Sequence, residues 1–278
     1  MAAVSEGDAF VPRFGGEAAN VALVAARHGA HVSLAGGAGD DAWGIWLRDR
    51  LRHEGVATEW LELAPGAQTP IAIVAFGRGG EPIRQVYGER VAVALGGDRL
   101  EEAVRGSAAV FITSGGPEGS DVTMRAREHA LSLGRPVVFD PRICVERWRS
   151  RAEAAAVANA CVPEALLVRA TEADAALMTG EDDPERGALA LLKGGARMVV
   201  ITLGGFDAAI LRGELRLDVD EVPAASGPAL GAPGAGEVLT GVLLARLATS
   251  AFYPAAVAAS LPEAVAEAAR ACKRWGDP

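Results

Sequence analysis

Histidine, cysteine and surplus positive charge are all scarce in this sequence, and each shortage closes a class of function. The four histidines (His28, His31, His53 and His129) fall in no metal-ligand spacing. His28 and His31 flank Gly29 at an expected helix end, where a solvated histidine complements the helix dipole. Cys144, Cys161 and Cys272 are odd in number, far apart and form no CxxC pair. Neither a disulfide framework nor a zinc knuckle is indicated, and reduced cytoplasmic thiols are expected. Lys and Arg number 27 against 36 Asp and Glu, a formal net charge of −9. That balance speaks against nucleic acid or an anionic membrane as partner, though not against a local anion site made of backbone N–H groups. Residues 1–10 carry Glu6 and Asp8 but no basic residue, unlike a signal peptide. The most apolar stretch, 238–261, is broken by Arg246 and Pro254, which fits a buried helix and turn better than a membrane span.

Hydrophobic residues make up 50% of the 278, enough for a sizeable core in one large domain. Short apolar runs at 31–35, 110–113, 137–140, 166–169 and 198–203 read as strands. Helical patterns at 42–53, 122–133, 172–178 and 184–193 lie between them. This alternation predicts an α/β fold with a mostly parallel sheet covered by helices. From 58 to 94 the rhythm changes to strands at 59–63, 71–76 and 83–87, with a hairpin tip at 78–81. That region reads as a small β-sheet flap on a single domain, or as a surface meander without a role. The fourteen residues before Gly15 show no strand pattern.

Glycine is frequent, 34 residues, so roughly four GxG matches are expected by chance. Gly234-Ala235-Gly236 gains weight from its setting, a Pro/Gly/Ala-rich approach followed by an apolar helix. Unpaired N–H groups at such a helix start suit a phosphate or the charge that develops in phosphoryl transfer. Glu237 beside them could take a proton from an attacking hydroxyl, or could simply be a first-turn acid favoured by the dipole. A second glycine turn, Gly15-Gly16, opens a helix carrying Asn20. Its amide suits a polyhydroxyl ligand or could tie neighbouring backbone. Gly39-Asp40-Asp41 reads as a loop that caps the next helix. Arg169, at a strand end, could meet a nucleotide phosphate or make an ordinary surface ion pair. Trp43, Trp46 and Trp148 are expected to pack on helices.

Taken in order, these segments resemble the ribokinase-like (PfkB-type) carbohydrate kinases. Residues 15–39 resemble the first signature of that family at its glycines, Asn20 and Ala22. Residues 234–241 resemble its second signature, which holds the anion hole and catalytic base. Residues 137–141 resemble the central strand ending in Asp-Pro, 171–180 the Asn-x-x-Glu region, and Thr202-Leu203-Gly204 the nucleotide-side strand end. The resemblance implies a three-layer sandwich with a small β-sheet lid, a possible homodimer through that lid, ATP and Mg2+ as cofactors, and a sugar or sugar-like alcohol as acceptor. It implies Glu237 as base, Gly234, Ala235 and Gly236 as anion cradle, and Thr202, Gly204 and Arg169 on the nucleotide side. Gly15, Gly16, Asn20 and Tyr87 would face the acceptor, with Glu89 and Arg90 beside Tyr87. Thr171 and Asp174 would order magnesium.

The chain also departs from the family pattern. Gly231, Ala232 and Pro233 replace an Asp and two Thr, and Glu237 replaces the final Asp. Thr171 and Asp174 replace Asn and Glu, Arg142 replaces an Asn after Asp140-Pro141, and Asp207 replaces a glycine. On pattern alone, the family's first strand is not expected before Gly15. Two functions stay open: a kinase transferring the γ-phosphoryl group of ATP to a sugar hydroxyl, or a protein of that fold that binds nucleotide or sugar phosphate with weakened turnover. A dinucleotide-dependent oxidoreductase is disfavoured, since no GxGxxG follows an early strand with an acid about twenty residues on.

Overall fold

The computed structural model describes residues 2–6, 9–76, 82–88, 97–114, 116–117, 119–220 and 234–271. Its first elements are two five-residue strands, β1 (Ala2–Glu6) and β2 (Ala9–Arg13), paired as an antiparallel hairpin. The reading of residues before Gly15 as patternless is therefore corrected. Strands this short carry little periodicity, and β1 finds its second partner far along the chain. Pro12 has no N–H to give, and its strand lies at the sheet edge where none is required.

Helix α1 (Glu17–Arg27) follows directly from Gly16, whose φ of 117° only glycine adopts without strain. The strand expected at 31–35 is reduced to one bridge, Ser33 to Ala57, and β3 forms instead at Gly36–Gly39. Asp41 caps α2 (Ala42–His53), accepting from the Gly44 N–H at 2.8 Å, as the loop reading anticipated. The same carboxylate accepts from the Thr69 N–H and hydroxyl at 2.8 and 2.7 Å. Strand β4 (Leu61–Ala64) pairs in parallel with β3, so it does not belong to the expected flap. The flap strands are β5 (Ile71–Phe76) and β6 (Pro82–Tyr87), and they extend the N-terminal hairpin into a sheet ordered β2-β1-β5-β6. The expected tip at 78–81 lies outside the described residues.

Beyond α3 (Gly97–Arg105) the alternation becomes regular. It runs β7 (Val110–Thr113), α4 (Ser120–Ser132), β8 (Val137–Asp140), α5 (Arg151–Ala160), β9 (Leu167–Thr171), α6 (Glu172–Thr179), α7 (Pro184–Lys193) and β10 (Met198–Leu203). Two strands the periodicity did not announce, β11 (Ala208–Gly213) and β12 (Leu217–Val219), complete the sheet. Strands β7 to β10 run parallel, and β11 and β12 add antiparallel at one edge. Two helices, α8 (Ala235–Thr249) and α9 (Ala255–Ala271), close the described chain. Arg246, which interrupts the apolar run, reaches Glu263 of α9 at the surface. Pro254 stands just before α9, where a missing N–H costs nothing.

The sheet is buried on both faces, which explains why its strands read as continuous apolar runs. Along β10, Val199 and Ile201 pack among residues of α4 to α7, while Met198 and Val200 pack against α8 and α9. Phe139 and Val138 divide in the same way on β8. The result is the helix-covered, mostly parallel sheet expected from the alternation, in the three layers that the resemblance implies. Helix α1 leans on α8 so closely that a Cβ on Gly241 would lie 2.6 Å from Cβ of Val24. Among the described residues no helix is long and apolar enough to cross a membrane.

Candidate active site

Asp140, Thr171 and Thr202 stand at or next to the C-terminal ends of three neighbouring parallel strands. Ligands of open α/β sheets bind at this edge, because loops and helix N-termini gather there. Helix α8 begins at Gly234, whose φ is 131° and which offers no side-chain cap. Among the described residues its first N–H groups thus have no capping side chain, which suits a phosphate cradle.

Beneath this turn lies a buried ionic cluster. Arg169 is fully buried, not at the surface, and donates to Asp140 at 3.2 Å and to the Thr202 hydroxyl at 2.9 Å. From α8, the Thr240 hydroxyl donates to Asp140 at 2.8 Å. The Arg169 guanidinium also lies 5.3 Å from the ring centre of Phe206. The surface ion pair considered for Arg169 is thus replaced by an interior one, whose partners satisfy charges that burial would otherwise penalise heavily. A Cβ on Gly236 would lie 3.1 Å from Nη1 of Arg169, so this guanidinium supports the α8 turn from below.

Glu237 is also buried, its side chain 6% exposed, and its Oε1 accepts a charge-assisted hydrogen bond from Nη2 of Arg142. Its Oε2 has no hydrogen-bond partner among the described residues. Arg142 holds φ at 50°, uncommon for a side-chain-bearing residue, directly after Pro141. The Pro141 carbonyl is pinned by the Ser114 hydroxyl at 2.6 Å. Burial works against the charge on Arg142, but Glu237, Asp140, Glu17 and Asp174 outweigh it and push its pKa above the ordinary arginine value.

Thr171 and Asp174 form a capping box at the start of α6. The Thr171 hydroxyl accepts from the Asp174 N–H at 3.1 Å and donates to the Asp174 carboxylate at 2.8 Å. Asp174 also accepts from the Ile143 N–H at 3.2 Å. Burial, then the neighbouring Asp140, raise the Asp174 pKa against the hydrogen bonds from Thr171 and Ile143. Among the described residues no group of three His, Cys, Asp or Glu could enclose a metal ion. Among the described residues, Asp174 could meet a hydrated magnesium ion through water, with the ion's other oxygens coming from nucleotide phosphates.

The remaining sequence candidates are more dispersed. Asn20 is 8% exposed on α1, and its Oδ1 has no hydrogen-bond partner among the described residues. Gly15 and Gly16 precede that helix, and Glu17 in its first turn lies within electrostatic reach of Arg142. Gly204 N–H donates to Glu172 at 3.0 Å, which ties the β10–β11 turn to the start of α6. Tyr87 ends β6 in the other sheet and is half exposed, while Glu89 and Arg90 lie outside the described residues. The structure therefore brings Glu237, Gly236, Arg169, Thr202 and Asp174 together. It adds Asp140, Thr240 and Arg142, which were not proposed as site residues. Thr240 could have been found from its place one turn after Glu237 on the same helix face.

Glycine-opened helices, a carboxylate and guanidinium groups at the strand ends of a three-layer α/β sandwich define a class of protein that handles phosphate. Comparison with known proteins narrows the class. The sequence model of the pfkB family carbohydrate kinases matches residues 2–274, and the chain belongs to that family. It is 28% identical over 255 residues to a probable fructokinase-4 of Arabidopsis thaliana, covering 89% of this chain and 77% of the relative. Fructokinase-1 of Oryza sativa subsp. japonica is 29% identical over 250 residues, covering 88% and 76%. The fold is ribokinase-like. A putative ribokinase II from E. coli, solved with ATP and magnesium, superposes with a TM-score of 0.83 at 19% identity, over 99% of this chain and 91% of that one. A Vibrio cholerae O395 fructokinase with fructose, ADP and calcium gives 0.77 at 23% identity, over 96% and 87%.

Proposed function

We propose that this sugar kinase uses ATP with a divalent metal ion, and that Glu237 is the base that deprotonates the acceptor hydroxyl. The observation that carries this reading is the Glu237 carboxylate: buried, one residue beyond the glycine turn, with Oε2 unpartnered among the described residues. A base must reach the proton it removes, and this oxygen has no competing hydrogen bond there. Bound ATP would supply the γ-phosphoryl group. The chain's own contribution is positioning and charge: N–H groups of Gly234, Ala235 and Gly236 at the cradle, Arg169 beneath it, and Glu237 beside it. The orphaned Asn20 Oδ1 suits a sugar hydroxyl donor, and Gly15 and Gly16 would let backbone approach the same ligand. Gly204 and Thr202 would border the nucleotide, Thr171 would hold Asp174 near a hydrated metal, and the β2-β1-β5-β6 sheet with Tyr87 would cover the acceptor as a lid and offer a dimer surface.

Fructose is the acceptor to test first, because several curated relatives are fructokinases. With ATP, magnesium and fructose, the protein should form a sugar phosphate that Glu237→Ala does not. A wild type no faster than Glu237→Ala, across fructose and a panel of other sugars, overturns the reading. One observation favours a second function, ligand binding with slow turnover: Arg142 already occupies the other oxygen of Glu237, which restrains how the carboxylate can turn toward an acceptor hydroxyl. Sugar-phosphate or nucleotide binding without product would support it.

A further inference from the structure

A carboxylate base placed beside a bound phosphate faces a like charge, and a cation between the two removes the conflict. The chain has such a cation. Arg142 Nη2 donates to Glu237, while Nη1 lies so near α8 that a Cβ on Gly236 would be 2.3 Å from it. The guanidinium therefore stands over the first turn of α8, between the base and the cradle. Among the described residues its one hydrogen bond is to Glu237, which leaves most of its five donors for another acceptor. Its side chain is 20% exposed, in contrast to the fully enclosed Arg169. A cation at a helix N-terminus is ordinarily unfavourable, and here two guanidinium groups crowd the same turn. Glu237 and Asp140 answer those two charges one for one. The positive end of α8 itself is left for an anion.

We propose that Arg142 is a further anion-binding residue of this site, donating at once to Glu237 and to a phosphate oxygen held at Gly234-Ala235-Gly236. The proposal rests on the reading of that turn as the phosphate cradle. Groups that face Arg142 are Glu237 on α8, Asp140 at the end of β8, Glu17 on α1 and Asp174 on α6, with Arg169 of β9 across Gly236. Arg142 is kept charged by Glu237 first and by Asp140, Glu17 and Asp174 after it, so its contribution is an always-present donor rather than a pH switch.

The test is calorimetric titration of the full chain with inorganic phosphate, for wild type, Arg142→Met, Arg142→Gln and Arg142→Lys. Removing a charge-assisted hydrogen bond should weaken phosphate at least about tenfold in the Met and Gln variants. Lys keeps the charge but not the planar fork and should recover most of the loss. In the turnover assay with ATP and fructose, Met and Gln should lower kcat more than they raise KM for fructose. Wild-type affinity in either neutral variant overturns the proposal, as does a Lys variant no better than Met, or a wild type that does not bind phosphate. Should Met fail to fold, Gln and Lys give the same comparison. Phosphate binding that depends on Arg142 in a protein without turnover would sink the kinase reading alone. Turnover with phosphate binding indifferent to Arg142 would sink this inference alone.

Discussion

Helices α1 and α8 each open on a glycine turn followed closely by an acid, yet the turns do different things. At α1 the glycine is Gly16 and the acid is Glu17, half exposed, and a Cβ on Gly16 would meet only Cβ of Ala19 at 3.4 Å. At α8 the acid is buried and paired, and a Cβ two residues past the cap would collide with the Arg142 guanidinium and press on that of Arg169. The α1 glycine is needed for its backbone angle. Gly236 is needed for the space its missing side chain leaves to charged neighbours. A glycine-rich turn is therefore not informative in itself; what converges on it decides whether it is a hinge in the chain or a reaction site.

Substitution separates these two roles. Gly236→Ala should have the largest effect, and it should fall on turnover. Helix propensity favours alanine at this position by up to about 1 kcal/mol, so the fold should survive. The added methyl displaces Arg142, whose flexible end can move, and with it the orientation of Glu237. A shift of about 1 Å can cost about a hundredfold in rate, and steady-state kinetics with ATP and fructose would read it. If Gly236→Ala instead keeps full activity, the crowded turn has no part in the reaction.

Gly16→Ala should act the other way, costing stability rather than rate. Holding a Cβ at positive φ costs about 1–2 kcal/mol. Thermal unfolding should therefore occur a few degrees lower. A loss of turnover larger than the loss of folded protein would move Gly15-Gly16 from scaffold to substrate contact and blur the distinction between the two turns.

The smallest expected effect concerns how α1 is anchored. Its last residue, Arg27, donates twice to Glu54 after α2, each bond 2.9 Å. Those bonds, with burial opposing them, hold the Glu54 carboxyl below its ordinary value of 4.5. A depressed acid contributes stability above its unfolded pKa and loses it as pH falls through the folded one. Wild type should thus lose a little more stability than Glu54→Gln when titrated from pH 6 to below 4, by less than about 1 kcal/mol for so exposed a pair. Equal acid sensitivity in the two proteins would show that the pair contributes nothing measurable.

Much of this architecture could be read from residue pattern, and what escaped did so for physical reasons. The buried parallel strands and α8 announce themselves because burial on both faces leaves continuous apolar runs. The β1–β2 hairpin escapes because its partner β5 is distant in sequence, and β11 and β12 because antiparallel edge strands this short carry little pattern. Thr171 and Asp174 were expected at a metal site through family resemblance. Their spacing also fits a capping box, which is how they are arranged, and a metal could join that arrangement through water. The Arg142–Glu237 pair was the least legible feature. Its partners are 95 residues apart, and their meeting depends on a backbone angle at Arg142 that residue type does not suggest.

Everything about the α8 turn converges on Glu237, and one measurement addresses it most directly. The kcat for ATP-dependent fructose phosphorylation should be compared between wild type and Glu237→Gln, a variant that keeps an oxygen for Arg142 but not a basic carboxylate. Loss of a general base predicts a fall of about 10² to 10⁴ in kcat with ATP affinity nearly unchanged. A Glu237→Gln enzyme that turns over at the wild-type rate would contradict the account at its centre.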